Sequence, residues 1–222
     1  MNVIAVTGLA REARIARRAR MVAVVGAGDG ALLARRLEEA IATGTKGIVS
    51  FGIAGALAPL LRPGDVVIAS HVVHGEERYA TDAKWNAVLR QKLPRATTAI
   101  IVGHGEIVSH VDGKRRLFAI SGAHAVDNES HIAARIARRH KIPFVALRTI
   151  SDAATRGLPP AALVRLNANG RIRIGGVLRS LISEPFQIAD LLTTGREANK
   201  AFAALSRSRD AFGLFLGCPY LG

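Results

Sequence analysis

Short apolar runs alternate with helix-patterned stretches through the first two-thirds of the chain, and this alternation restricts the fold more than any other feature. Residues 2–7, 21–26, 47–51, 65–73, 97–102 and 144–150 are brief, rich in β-branched residues and bounded by turn or charged residues, which reads as strand. Between them, Arg11 to Arg20 reads as a basic helix with Ile15 and Ala19 on one face. Leu32, Leu33, Leu37 and Ile41 recur at helical spacing over Gly30 to Thr43, with Asp29 as N-cap and Gly44 as stop. Asn128 to His140 turns Ile132 and Ile136 inward and Arg135, Arg138 and Arg139 outward. Strands separated by helices need crossover connections, so the pattern predicts an α/β fold: a single mixed, largely parallel sheet covered by helices on both faces. Beyond residue 155, Pro159-Pro160 and Asn167–Gly170 punctuate the chain, and helical stretches follow near 175–183, 186–194 and 197–211. This reads as one domain over 1–222, with a core of about 1–155 and a helical C-terminal extension of about 156–222.

Composition narrows the function classes. With 49% hydrophobic residues the chain has ample material for a core, and no apolar run approaches the roughly 18 residues of a membrane span. The first apolar run lacks a basic region before it and meets Arg11 and Glu12 too soon for a leader, so it reads as a strand. The lone Cys218 cannot form an internal disulfide, which fits a cytoplasmic setting. The net charge of +14 attracts anions without choosing among nucleic acid, anionic lipid and phosphate, and compositional bias toward arginine would also produce it. Aromatics at 5% and the lack of a recognition motif argue against a nucleic-acid partner. The seven histidines show no metal-ligand spacing, and His71 and His74 beside Glu76 and Glu77 read as a solvated loop.

Four motifs carry candidate chemistry. Gly26-Ala27-Gly28-Asp29-Gly30-Ala31 matches a dinucleotide fingerprint, but the next strand ends Ser50-Phe51-Gly52 without the required carboxylate, so close strand–helix packing explains it better. Gly52-Ile53-Ala54-Gly55-Ala56 reads as a small-residue loop at the carboxyl edge of the sheet, where backbone N–H groups converge on an anion or sugar. Val126-Asp127-Asn128-Glu129-Ser130-His131 offers carboxylates to a vicinal diol, or else caps a helix. Arg148-Thr149-Ile150-Ser151-Asp152 ends another strand at the same edge, with Asp152 either a general acid or a second N-cap.

Taken together, Ser50–Leu57 with Arg62-Pro63-Gly64-Asp65-Val66-Val67, Val126–Glu129 and Pro143–Asp152 resemble the purine nucleoside phosphorylase and methylthioadenosine/adenosylhomocysteine nucleosidase superfamily over about residues 2–155. Gly8–Arg14 and Leu158-Pro159-Pro160 look most like the hopanoid-associated phosphorylases. The resemblance implies cleavage of the N-glycosidic bond of an adenosine-containing nucleoside, by phosphorolysis or hydrolysis. It assigns catalysis to Asp152 and Glu12: Asp152 would protonate the purine, and Glu12 would orient water. Ser151 and Asp127 would join Asp152 at the purine, Glu129 and Asn128 would hold the ribose, and Gly52, Ile53, Ala54 and Gly55 would flank phosphate or water. No metal or cofactor is implied beyond inorganic phosphate as co-substrate, whose arginine would be Arg11 or Arg14. The narrower resemblance implies adenosylhopane as substrate, in hopanoid biosynthesis, and the superfamily implies a homo-oligomer. Such a substrate would bring the protein to the inner face of the membrane. Candidate contacts are the basic faces (Arg11, Arg14, Arg17, Arg18; Lys114, Arg115, Arg116; Arg135, Arg138, Arg139) and the apolar tail Phe212–Leu216, which core or subunit packing explains better. Two residues depart from the pattern: Ile53 stands where many relatives carry Ser or Thr, and Asn128 replaces a methionine. A soluble methylthioadenosine/adenosylhomocysteine nucleosidase and a non-catalytic adenosine-binding protein are the alternatives.

Overall fold

The computed structural model describes residues 2–163, 167–171, 180 and 187–221. In chain order the elements are β1 (Val3–Thr7), α1 (Ala10–Arg18), β2 (Val22–Val25), α2 (Gly30–Ala42), β3 (Gly47–Ala56), β4 (Val66–His74) and β5 (Glu77–Ala80). There follow α3 (Ala83–Lys92), β6 (Thr97–Gly103), α4 (Val111–Ser121), β7 (Ala125–Asp127), α5 (Ser130–His140), β8 (Phe144–Asp152) and α6 (Ile188–Phe212). The strands form one mixed sheet in the order β2-β1-β3-β7-β6-β4-β5, and β8 pairs with both β3 and β4. The run β3-β8-β4-β6-β7 thereby closes into a barrel, with β1 and β2 extending from one side and β5 from the other. Among the described residues five pairings are parallel and three, β3–β7, β4–β5 and β4–β8, are antiparallel. The largely parallel character matches the expectation; the closure was not legible in the pattern.

Period-2 alternation divides the strands between two apolar cores. Ile4 and Val6 face the core shared with Leu33 and Leu37 of α2 and Ile132 and Ile136 of α5. Val3 and Ala5 face the opposite core, filled by Ile15 of α1, Phe51, Trp85 of α3, Leu147 and Leu205 of α6. Burial on both faces is why the strands read as continuous apolar runs.

Asp29 caps α2 by accepting from the Leu32 N–H at 2.9 Å, and Gly44 takes the left-handed φ of +86° just past its end. The glycine-rich turn before α2 serves packing, since a Cβ on Gly30 would lie 2.9 Å from Ile132 Cδ1.

Several expectations need correction. The strand ending at Phe51 continues to Ala56, so Gly52–Ala56 is not a loop. The helix expected from Asn128 starts at Ser130. The stretches near 186–194 and 197–211 are one helix, α6, whereas 175–183 lies outside the described residues but for Ser180. His71 and His74 sit in β4, and the His74 ring stacks on His131 with centroids 4.2 Å apart. The tail turns inward: Leu216 is fully buried and its carbonyl accepts from the Trp85 indole N–H at 2.9 Å. Core packing therefore accounts for Leu216, with Phe212 and Phe215 partly buried against the same core, while Leu214 stays exposed. Among the described residues no helix is long and apolar enough to cross a membrane.

Candidate active site

The carboxyl ends of β1, β3, β7 and β8 meet beside the starts of α1 and α5, and four buried charged side chains converge there. Glu12 enters from the first turn of α1. Its Oε2 accepts from the Gly8 and Leu9 N–H groups at 2.8 and 2.7 Å, which closes the helix N-terminus. Its Oε1 accepts from the Ile53 N–H of β3 at 2.7 Å. Glu12 is 1% exposed, and burial raises its pKa against the opposing pull of Arg148.

Arg148, on β8, lies at the centre and is completely buried. Its Nε pairs with Asp127 Oδ2 at 2.6 Å and its Nη2 approaches Glu129 Oε2 at 3.4 Å. Nη2 also donates to Ser50 Oγ at 2.6 Å, and Nη1 donates to the Ile53 carbonyl at 3.3 Å. Burial works against the guanidinium charge, but Asp127, Glu129 and Glu12 outweigh it and raise its pKa. In the sequence Arg148 stands within the Arg148–Asp152 motif, where local pattern assigns it no role. A cation inside a buried strand, four residues before Asp152 at the strand's end, was the signal that could have found it.

Three carboxyls thus face one guanidinium. Glu129 registers the imbalance: burial first, then the Asp127 and Glu12 charges, push its pKa up to about 8 despite Arg148. Asp127 has less freedom. Its Oδ1 accepts from the Glu129 and Ser130 N–H groups at 3.1 and 2.8 Å, capping α5, while Oδ2 takes Arg148 and the Ser130 hydroxyl. With both oxygens engaged, the expected contact of Asp127 with a purine has no free acceptor to rest on. Asn128 also points elsewhere: with its amide oriented to donate, it reaches the Glu106 and His104 carbonyls at 3.2 and 3.1 Å, tying down the loop after β6 and not a ribose wall.

Strand β3 runs between these groups, and its small residues make the space. A Cβ on Gly52 would lie 2.6 Å from Arg148 Nη1 and closer still to Glu12 Oε1. Gly52, Ile53, Ala54 and Gly55 all pair with β8, so their N–H groups do not converge as a nest, and the Ile53 N–H is already given to Glu12. The ladder slips between Ala54 and Gly55, leaving Ser151 unpaired and setting Asp152 against Gly55. Asp152 stands there, 5% exposed, with Oδ1 accepting from the Ser151 hydroxyl at 2.6 Å. No helix follows it, so it is not an N-cap. Its Oδ2 pairs with Lys114, a residue expected on a solvated basic face and found fully buried.

The arginines proposed for phosphate lie outside. Arg11 stacks over Phe202 at 4.2 Å and donates to Asn199 Oδ1 at 2.6 Å. Arg14 joins Arg17, Arg18, Arg36 and Arg171 around a groove of about 940 Å³ on the outer side of α1. Among the described residues no group of histidine, cysteine or carboxylate side chains has the arrangement of a metal site.

Solved structures of known proteins share this fold. The fold is similar to that of 5′-methylthioadenosine/S-adenosylhomocysteine nucleosidase from Helicobacter pylori, at 15% identity and a TM-score of 0.63 over 95% of this chain and 98% of that one. Futalosine hydrolase of the same organism gives 14% and 0.66 over 95% and 99%, and the Campylobacter jejuni nucleosidase 16% and 0.62 over 93% and 99%. At these identities the likeness speaks for the fold alone. No curated protein matches significantly. The model of one family, described as the phosphorylase superfamily, matches residues 11–183, a span holding Glu12, Gly52, Glu129, Arg148 and Asp152. The chain belongs to the phosphorylase superfamily and is an enzyme of its glycosidic-bond-cleaving class.

Proposed function

We propose that the protein hydrolyses the N-glycosidic bond of an adenosine carrying a 5′ substituent and releases adenine. The observation that carries this reading is the excess of buried carboxyl over cation where Glu12 takes the Ile53 N–H. A phosphate dianion placed there would meet three carboxyls, one guanidinium and no free backbone donor from Ile53, whereas water needs only an acceptor. Water is therefore the nucleophile. Glu12, made a stronger base by burial, takes the proton of water as its oxygen bonds to C1′. Glu129, in its ionised form, accepts hydrogen bonds from the ribose hydroxyls. Asp152 gives a proton to the purine as the C1′–N9 electrons leave with the base. The methylthioadenosine nucleosidase and futalosine hydrolase folds are consistent with this chemistry. Ile53 does not weaken it, because the group used is its N–H and not a side-chain hydroxyl.

For the 5′ substituent, the resemblance of Gly8–Arg14 and Leu158-Pro159-Pro160 to the hopanoid-associated phosphorylases supports a hopanoid, so adenosylhopane is the substrate we assign beside methylthioadenosine. A membrane-borne substrate calls for a peripheral contact. The faces of α4 and α5 are weak candidates, since Lys114 is buried, Arg138 pairs with Glu77 and Arg139 with Glu38. The outer arginines of α1 remain. We also assign a homo-oligomer, on the superfamily resemblance.

Adenine release from methylthioadenosine tests the reading. The rate is expected to be the same with and without inorganic phosphate, and Asp152→Asn is expected to lower kcat by at least 10²-fold while substrate still binds. Formation of a ribosyl phosphate that depends on added phosphate would overturn hydrolysis.

A further inference from the structure

Lys114 lies on α4, outside the carboxyl cluster, yet its side chain is completely buried. An ammonium has three hydrogens, and all three are used. One goes to Asp152 Oδ2, and the others to the Ala153 and Arg156 carbonyls, each at 2.8 Å. Burying a lysine is unfavourable unless its charge is paired and each donor bonded. Packing alone asks for no charge here, as Leu117 and Phe118 on the same helix pack against an apolar cluster. The cation therefore serves Asp152.

Two consequences follow from the geometry. With Lys114 on Oδ2 and Ser151 on Oδ1, the carboxyl is held from both sides at the Gly55 end of β3 and cannot turn freely. The three bonds of Lys114 also fasten the strand end to the turn behind it, and Arg156 of that turn reaches Glu197 of α6 at 2.7 Å. We propose that Lys114 is a positioning residue for the glycosidic cleavage, fixing the Asp152 carboxyl and neutralising the carboxylate it becomes. Asp152 takes up a proton from solvent before the chemical step; as the C1′–N9 bond breaks, its electron pair leaves with the purine and that proton passes from Asp152 to the base, restoring the ion pair with Lys114. The negative charge left on Asp152 develops against a preorganised ammonium, which lowers the energy of the state that proton transfer creates.

This inference rests on the proposed base release, and the experiment separates the two. Adenine release from methylthioadenosine is measured for the wild type, Lys114→Met, Asp152→Asn and the double variant. Lys114→Met is expected to lose about 10²-fold in kcat with KM within threefold of wild type. In the Asp152→Asn background the same substitution is expected to cost nothing further, because its route to the reaction is already cut. Lys114→Ala is expected to regain rate, saturably, with added ethylammonium and not with ethanol, which a merely structural role would not give. Should Lys114→Met fail to fold, Lys114→Ala with Asp152 intact, assayed with and without the amine, reads the same role, since the added ammonium restores the missing partner of Asp152. Active wild type with Lys114→Met unimpaired, losses that multiply in the double variant, or rescue by ethanol as well as amine would each overturn the role of Lys114 alone. A wild type that releases no adenine would overturn the base-release reading, and this inference with it.

Discussion

Single residues set the chemistry of this site through what they displace or hold. Gly52 does so by having no side chain. A Cβ there would collide with both Glu12 and Arg148, and its backbone is ordinary strand, so Gly52→Ala displaces the functional groups without strain in β3. The variant is expected to keep its fold by circular dichroism and to lose on the order of 10²-fold in kcat/KM for methylthioadenosine, the usual cost of a misplacement near 1 Å. Glu129 acts through its proton. In the free protein it is neutral below about pH 8 and ionised above, so kcat/KM should rise with pH through that value as the carboxylate gains its capacity to accept two hydroxyls. The same shift has a stability consequence. Between its ordinary 4.5 and about 8 the folded protein holds a proton that the unfolded chain has released, so stability falls as pH rises across that window. At about 1.4 kcal/mol per unit, the wild type should lose on the order of 3 kcal/mol from pH 5 to pH 8. Glu129→Gln should flatten that slope, and thermal melts across the range check it; an equal slope in the variant would place the titrating group elsewhere.

At the scale of elements, what the sequence made legible follows from how local each cause is. The ends of α2 could be read because Asp29 and Gly44 act on adjacent backbone. Glu129 and Asp152 could be singled out because strand ends at one sheet edge share neighbours whatever the packing. The extension of β3 through Gly52–Ala56 was hidden, since small residues are also loop residues, and only pairing with β8 and β7 holds them extended. The helix α3 was missed for a similar reason: what fixes it is burial of Trp85 and Leu89 against a distant tail, not a strong amphipathic stripe. Asp127 and Asn128 illustrate the same limit at the start of α5. Their types suit ligand binding, but Arg148 and the loop after β6, far away in sequence, claim their polar atoms first. Lys114 shows it most sharply, because a helix bearing Lys114-Arg115-Arg116 looks solvated until β8 brings a carboxylate beneath it.

For the whole molecule, the question is where the charge of +14 remains unspent. Folding assigns part of it: Arg148 and Lys114 go to buried carboxyls, and Arg138 and Arg139 to acidic neighbours on the surface. Arg14, Arg17 and Arg18 are different. They are exposed along α1, line one groove together with Arg36 and Arg171, and form no ion pair among the described residues. Among the described residues Glu39 is the only acidic one lining that groove. An anionic membrane surface is worth about 1 kcal/mol per nearby arginine, so three of them supply roughly 3 kcal/mol, or about a hundredfold in partitioning. Arg14→Gln/Arg17→Gln/Arg18→Gln should therefore lower binding to vesicles containing anionic phospholipid by about that factor at low salt. Glutamine keeps the helix, and none of the three touches the carboxyl cluster, so methylthioadenosine turnover in solution should stay within twofold of wild type. Turnover of a bilayer-embedded adenosine derivative should fall with the loss of binding. If the triple variant binds anionic vesicles as well as the wild type does, the arginines reflect composition and this face of α1 is not a membrane contact.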